Sequence, residues 1–136
     1  MATRRTMPIL QVAKVARSTE FYNRLGFATG GVWDLEGEPN FAIVQRGDVT
    51  IGLQLLRAAT MPNNTHWAAY VYIDDAKELY EEFCAAGIAI NRKPEEAPYG
   101  CIDFDVRDPD GHLIAFGQDL NPEPNGPGLG SQRGNG

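Results

Sequence analysis

The feature that most constrains this chain is an internal repeat. Val12 and Ile73, each just before a helix-like stretch, are 61 residues apart, and so are Gly26 and Gly87, each just after one. Gly47 and Gly111, each before the last strand of its half, are 64 apart. The flanking residues agree: Leu25-Gly26-Phe27 matches Ala86-Gly87-Ile88, and Thr50-Ile51-Gly52-Leu53 matches Leu113-Ile114-Ala115-Phe116. Offsets this constant in helix and turn positions point to a duplicated supersecondary unit, so the fold must be two copies of one module.

Each copy holds one helix. The first is expected over about Val15–Leu25, because Ser18, Phe21, Tyr22 and Leu25 share one helical face and Gly26 follows as a C′ glycine. The second is expected over about Asp75–Ala86, with Asp75 as cap, Glu78 three residues on, and Gly87 at the end. The rest alternates as half-buried strands do: Met7–Val12, Phe27–Asp34, Asn40–Arg46, Val49–Leu56, His66–Ile73, Ile88–Asn91, Cys101–Arg107 and His112–Gln118. Gly47-Asp48 and Pro109-Asp110-Gly111 supply turns. The order is βαβββ twice, an α+β fold of modules about 6–57 and 65–120 within one domain, residues 1–120. Residues 121–136 are rich in Pro and Gly with one large apolar residue, Leu129, and are expected to form a mobile tail.

Strand parity sorts the side chains. Ile51, Leu53 and Leu55, then Ile102, Phe104 and Val106, suit the face under a helix, as do Ala69, Val71 and Ile73. Trp67 shares that parity and is expected in the core. The opposite faces carry Thr50, Gly52 and Gln54; His66, Ala68, Tyr70 and Tyr72; Cys101, Asp103 and Asp105; and Leu113, Ala115 and Gly117.

Charge narrows the function. The 136 residues carry a net charge of −6, which argues against nucleic acid, because phosphate binding needs clustered Lys and Arg. No apolar run approaches a membrane span. The first residues have positive charge with no apolar stretch behind it, so no secretory signal is expected. Two cysteines, Cys84 and Cys101, without CxxC spacing fit a reducing cytoplasm.

Ser18-Thr19-Glu20-Phe21-Tyr22 followed by Leu25-Gly26-Phe27, and Asp108-Pro109-Asp110-Gly111-His112-Leu113-Ile114 near the end, resemble the two signatures of the vicinal-oxygen-chelate superfamily, which holds glyoxalase I, extradiol dioxygenases and bleomycin-resistance proteins. The resemblance covers nearly all of residues 7–118. It implies a curved mixed sheet around a cavity, helices outside, and a homodimer. Metal-dependent members place one ligand on each of four strands, and those positions correspond here to Met7, Gly52, Ala68 and Ala115. A thioether and three positions without a ligand atom hold no hard or borderline cation, so no metal or other cofactor is expected.

Pro98-Tyr99-Gly100 resembles the Pro-aromatic-Gly of bleomycin-resistance proteins, whose aromatic ring stacks on the drug. The stretches Ala42–Asp48 and Trp67–Asp75 resemble the same subgroup. The resemblance implies a ligand site from Tyr99, Phe41, Trp33, Asp103, Tyr70, His66 and Gln54, with no catalytic residue. Aromatic rings would stack on a planar ligand, and carboxylates (Asp103, Asp105 and the Asp34–Glu38 turn) would favour a cation. Each residue also has a plainer reading. Trp33 and Phe41 equally suit core or dimer contacts, Tyr70 and Tyr72 could simply fill space, Asp103 and Asp105 could face solvent, and Cys101 has no assured base beside it. The expected function is capture of a small molecule, such as a bleomycin-like antibiotic. A metal-independent isomerase or lyase with His66 or Asp103 as its acid or base is the alternative.

Overall fold

The computed structural model describes residues 1–56 and 66–121. The tail beyond residue 121 lies outside them, so its expected mobility is not addressed. Ten elements follow in the order β1 (Ile9–Val12), α1 (Val15–Arg24), β2 (Ala28–Leu35), β3 (Glu38–Arg46), β4 (Val49–Leu55), β5 (Trp67–Tyr72), α2 (Ala76–Ala85), β6 (Ile90–Glu96), β7 (Cys101–Arg107) and β8 (Leu113–Asp119). This is the expected βαβββ order, twice. Each copy makes its own four-stranded sheet, in the orders β1-β4-β3-β2 and β5-β8-β7-β6. In the first, β1 runs parallel to β4 and the other pairs are antiparallel.

The duplication reaches atomic detail at the helix ends. Gly26 and Gly87 both take positive φ, +88° and +77°. The Phe27 N–H then donates to the Tyr22 carbonyl, and the Ile88 N–H to that of Phe83, each at 3.0 Å. A left-handed glycine with a 6→1 bond satisfies carbonyls that the helix end would otherwise orphan.

The chain packs as two compact units. The first holds α1 and β1–β4 with Asp108–His112, and the second holds Ala69–Arg107 with β8. In the second, Phe83, Phe104 and Phe116 form an aromatic core with ring centroids 5.2–5.8 Å apart. Asp75 caps α2 by accepting from the Glu78 N–H at 3.0 Å, and Gln118 Oε1 accepts from the Ala76 N–H at 3.0 Å.

The start of α1 in the first unit is tied down differently. Lys14 offers α1 no side-chain cap. Instead Asp110, nearly a hundred residues away in sequence, supplies a carboxylate. Its Oδ1 accepts from the Ala13 N–H at 3.0 Å and from Arg17 Nη2 at 2.9 Å, and its Oδ2 accepts from Ser18 Oγ at 3.3 Å. Asp108, buried beside it, accepts from the Tyr22 hydroxyl at 2.9 Å and from the N–H groups of Asp110 and His112. The His112 ring donates from Nε2 to the Gln11 carbonyl, 2.7 Å away. Burial, and secondarily the charge of Asp108, hold the Tyr22 phenol well above its ordinary pKa, so it stays a donor. The Asp108-Pro109-Asp110-Gly111-His112 signature is thus a structural clasp on α1 and β1.

Three expectations need adjustment. The sixth strand extends to Glu96 rather than ending at Asn91, the first begins at Ile9 rather than Met7, and Trp67 is 41% exposed rather than core.

Tyr22→Phe should remove the one side chain donating to Asp108 Oδ2 and leave a buried carboxylate oxygen unsatisfied. A loss of about 1–3 kcal/mol is expected in urea unfolding. Unchanged stability would show that the clasp adds nothing to the fold.

Candidate functional site

The first unit brings three of the expected site residues into one row. Cα partners across the sheet run Gln11–Gln54 between β1 and β4, Gln54–Phe41 between β4 and β3, and Phe41–Trp33 between β3 and β2. Side chains directly opposite share a face, so the four lie side by side. The Trp33 and Phe41 rings are 5.7 Å apart and tilted by 57°. Trp33 is 51% exposed.

Strand glycines seat these rings. A Cβ on Gly31 would lie 2.5 Å from the Trp33 indole, so the indole lies back over Gly31. A Cβ on Gly52 would lie 2.5 Å from Ile9 Cδ1, 3.1 Å from Phe41 Cζ and 3.4 Å from Met7 Cε. The space beside Gly52 is filled by apolar atoms of Ile9, Phe41 and Met7. Among the described residues no three His, Cys, Asp or Glu side chains gather to hold a metal ion. The residues present do not fit one.

The second unit assembles Tyr70, Tyr99 and Asp103. Asp103 on β7 is 1% exposed. Its Oδ2 accepts from the Tyr70 hydroxyl at 2.9 Å and, in a shorter bond, from the Tyr99 hydroxyl. Its Oδ1 accepts from Arg92 Nη2 at 2.5 Å. Arg92 Nε also donates to Asp105 Oδ2 at 3.2 Å, and Asn91 Nδ2 donates to Asp105 Oδ1 at 2.7 Å. Neither aspartate faces solvent. Tyr70 lies across Gly117, which pairs with Asp103 on the neighbouring strand; a Cβ there would collide with the phenol.

Tyr99 stands on the β6–β7 turn. Gly100 takes φ +83°. Its N–H donates to the Ala97 carbonyl at 3.1 Å, and the Ala97 N–H donates to the Cys101 carbonyl at 2.7 Å. The turn is closed by backbone bonds and Tyr99 is 39% exposed above it. Tyr72, 49% exposed, is 5.0 Å from Tyr70 between ring centroids, and Tyr99 is 6.3 Å from Tyr70. His66 is exposed one residue before β5.

The electrostatics keep these phenols neutral. Burial, then the hydrogen bond to and charge of Asp103, push the Tyr99 phenol up to about 12. Tyr70 is raised much further by burial, with hydrogen bonds to Cys101 and Asp103 adding to it. Burial also raises Tyr72, helped by the charges of Cys101 and Asp119. At Arg92 burial opposes the charge, but Asp103 and Asp105 more than offset it and the guanidinium stays protonated. Burial raises the Cys101 thiol, and Asp119 and Asp103 raise it further against a lowering bond with Tyr70, which makes it a poor nucleophile at neutral pH.

Arg92 and Asn91 were not anticipated from the sequence. The signal was there: two aspartates on one inward parity of β7 need a cation or several donors if they are buried.

Residues 5–116 match the family profile of the Glyoxalase/Bleomycin resistance protein/Dioxygenase superfamily. No curated protein matches the chain significantly. Among solved structures, a bleomycin-binding protein complexed with bleomycin is 24% identical, with 86% of this chain and 99% of that one covered and a TM-score of 0.69. A bleomycin resistance determinant encoded on the transposon Tn5 is 25% identical, with 86% and 98% covered and a TM-score of 0.68. A lactoylglutathione lyase from Agrobacterium tumefaciens is 18% identical, with 86% and 94% covered and a TM-score of 0.64.

The raised phenols set an alkaline limit. Below the ordinary tyrosine value of 10.0, folded and unfolded chains both hold these protons and the contribution to stability is full. Above it the unfolded chain ionises first, so stability should fall as pH rises through about 12, where folded Tyr99 follows. Urea unfolding across this range should show the decline, and a flat profile would contradict the buried phenol–carboxylate bonds.

Proposed function

Because the chain belongs to the Glyoxalase/Bleomycin resistance protein/Dioxygenase superfamily, we propose that it is a binding protein that captures a planar or cationic small molecule of the bleomycin type. One observation carries the reading. Large rings stay exposed on rigid supports, with Trp33 lying over Gly31 and Tyr99 fixed on a backbone-closed turn. Exposed aromatic area on a preset frame binds flat ligands at small entropic cost. The family resemblance supports a homodimer with two symmetry-related binding grooves.

Charge would steer the ligand. Asp103 and Asp105 are paired with Arg92, so their field is partly cancelled. The exposed Asp34 and Glu36 near Trp33 add negative charge that would attract a cation through solvent. No helix among the described residues is long and apolar enough to cross a membrane.

An acid or base role for Asp103 is harder to build. Its carboxylate is buried and already accepts from two phenols and a guanidinium, so taking a substrate proton would break that set.

Calorimetric titration with bleomycin tests the reading. Binding tighter than about 10 μM, roughly −7 kcal/mol, is expected. Tyr99→Ala should weaken it by about 1–2 kcal/mol, a factor of roughly 5–30. Absence of heat at tens of micromolar protein would sink the proposal, and an unchanged affinity in the variant would remove Tyr99 from the site.

A further inference from the structure

Asp103 is buried, yet it sits beneath the exposed ring of Tyr99. What fixes this carboxylate comes from β6, an edge strand. The pairing of β6 with β7 shifts register between Ile90 and Arg92 and again between Arg92 and Glu95. Such irregularities re-aim a side chain. Arg92 is placed opposite Asp105 and donates to it through Nε, but its Nη2 reaches past to Asp103 Oδ1, and Nη1 lies 3.4 Å from the Asp103 carbonyl. One planar guanidinium thus spans two carboxylates and a backbone carbonyl. With Oδ1 held, Oδ2 is turned to the two phenols, and both donate to it.

We propose that Arg92 is a positioning residue for the ligand site: by fixing Asp103 it commits the Tyr99 hydroxyl inward, so that Tyr99 meets the ligand as a ring and not as a hydrogen-bond donor. The inference rests on the reading of Tyr99 as a ligand contact. It also restricts the ligand class. A molecule bound here stacks on a neutral phenol face and needs no acceptor atom over Tyr99, which favours an extended planar ring and disfavours a ligand recognised through a carbonyl or carboxylate at that point.

Charge and fork can be separated. Lysine keeps the positive charge, but its single ammonium cannot reproduce the guanidinium's two-armed span. Arg92→Lys should therefore fold, with a lowered thermal midpoint, while releasing Asp103. In isotope-labelled protein the Tyr99 ring resonances should shift and average. Bleomycin affinity should fall by roughly threefold or more. Tyr99→Phe, which lacks the tethered hydroxyl, should lose a comparable factor, and the double variant should lose no more than either single one. Additive losses, or Tyr99 resonances unmoved in Arg92→Lys, would overturn the inference.

If Arg92→Lys does not fold, Arg92→Gln with Asp105→Asn removes the fork and keeps one net negative charge among residues 92, 103 and 105; the same release of Tyr99 is expected. The arms separate the two claims. Wild-type protein that ignores bleomycin defeats the receptor reading, while the Tyr99 resonances of the free protein still decide the role of Arg92.

Discussion

The structure depends on burying carboxylates without leaving them unsatisfied. Between Asp103 and Asp110 the chain carries four aspartates, and none has a side chain more than 4% exposed. Removing a carboxylate from water costs several kcal/mol unless donors replace the lost hydration. Each of the four therefore recruits a set of donors, and those sets organise their surroundings. Asp110 gathers the start of α1, and Asp108 gathers Tyr22 and its own turn. Asp103 and Asp105 gather two tyrosines, an arginine and an asparagine. One eight-residue stretch thus anchors a helix through one end and builds the candidate site through the other.

Local rules made much of this legible. The 61-residue offset located both helices, and Gly26 and Gly87 end them with the same left-handed glycine and the same backbone bond. Asp75 caps α2 as its spacing to Glu78 implied. Parity put Phe104 toward α2 and Asp103 on the other face, where the structure has them. These features are set within a few residues, or by strict alternation, so a single sequence displays them.

The partnerships stayed hidden. Nothing near Lys14 shows that the start of its helix is anchored to Asp110, because the bond joins residues nearly a hundred positions apart. The sequence pattern ends β6 at Asn91, because Arg92-Lys93-Pro94-Glu95-Glu96 has the polarity and the proline of a loop. An edge strand tolerates both, since one side of its backbone needs no partner. Losing the end of β6 meant losing Arg92, and without Arg92 the two aspartates read as free charge. A neutralising partner on a different strand is a tertiary fact, and parity alone cannot supply it.

The duplication also explains why one module offers rings and the other a polar network. Phe41 and Asp103 hold equivalent places in the repeat, 62 residues apart, and each has its neighbours in the same register: Trp33 and Gln54 flank the first, Glu95 and Gly117 the second. In the first copy an aromatic row covers the sheet and needs no donors. In the second an aspartate stands where the ring stood, the glycine beside it admits Tyr70, and a phenol enters above the carboxylate. An aromatic surface is thus reached in both copies by different means. One grows it directly from the strand, and the other suspends it from a buried charge. The suspended surface is the more adjustable, because its rings hang on hydrogen bonds that a change at one residue, Arg92, would reset.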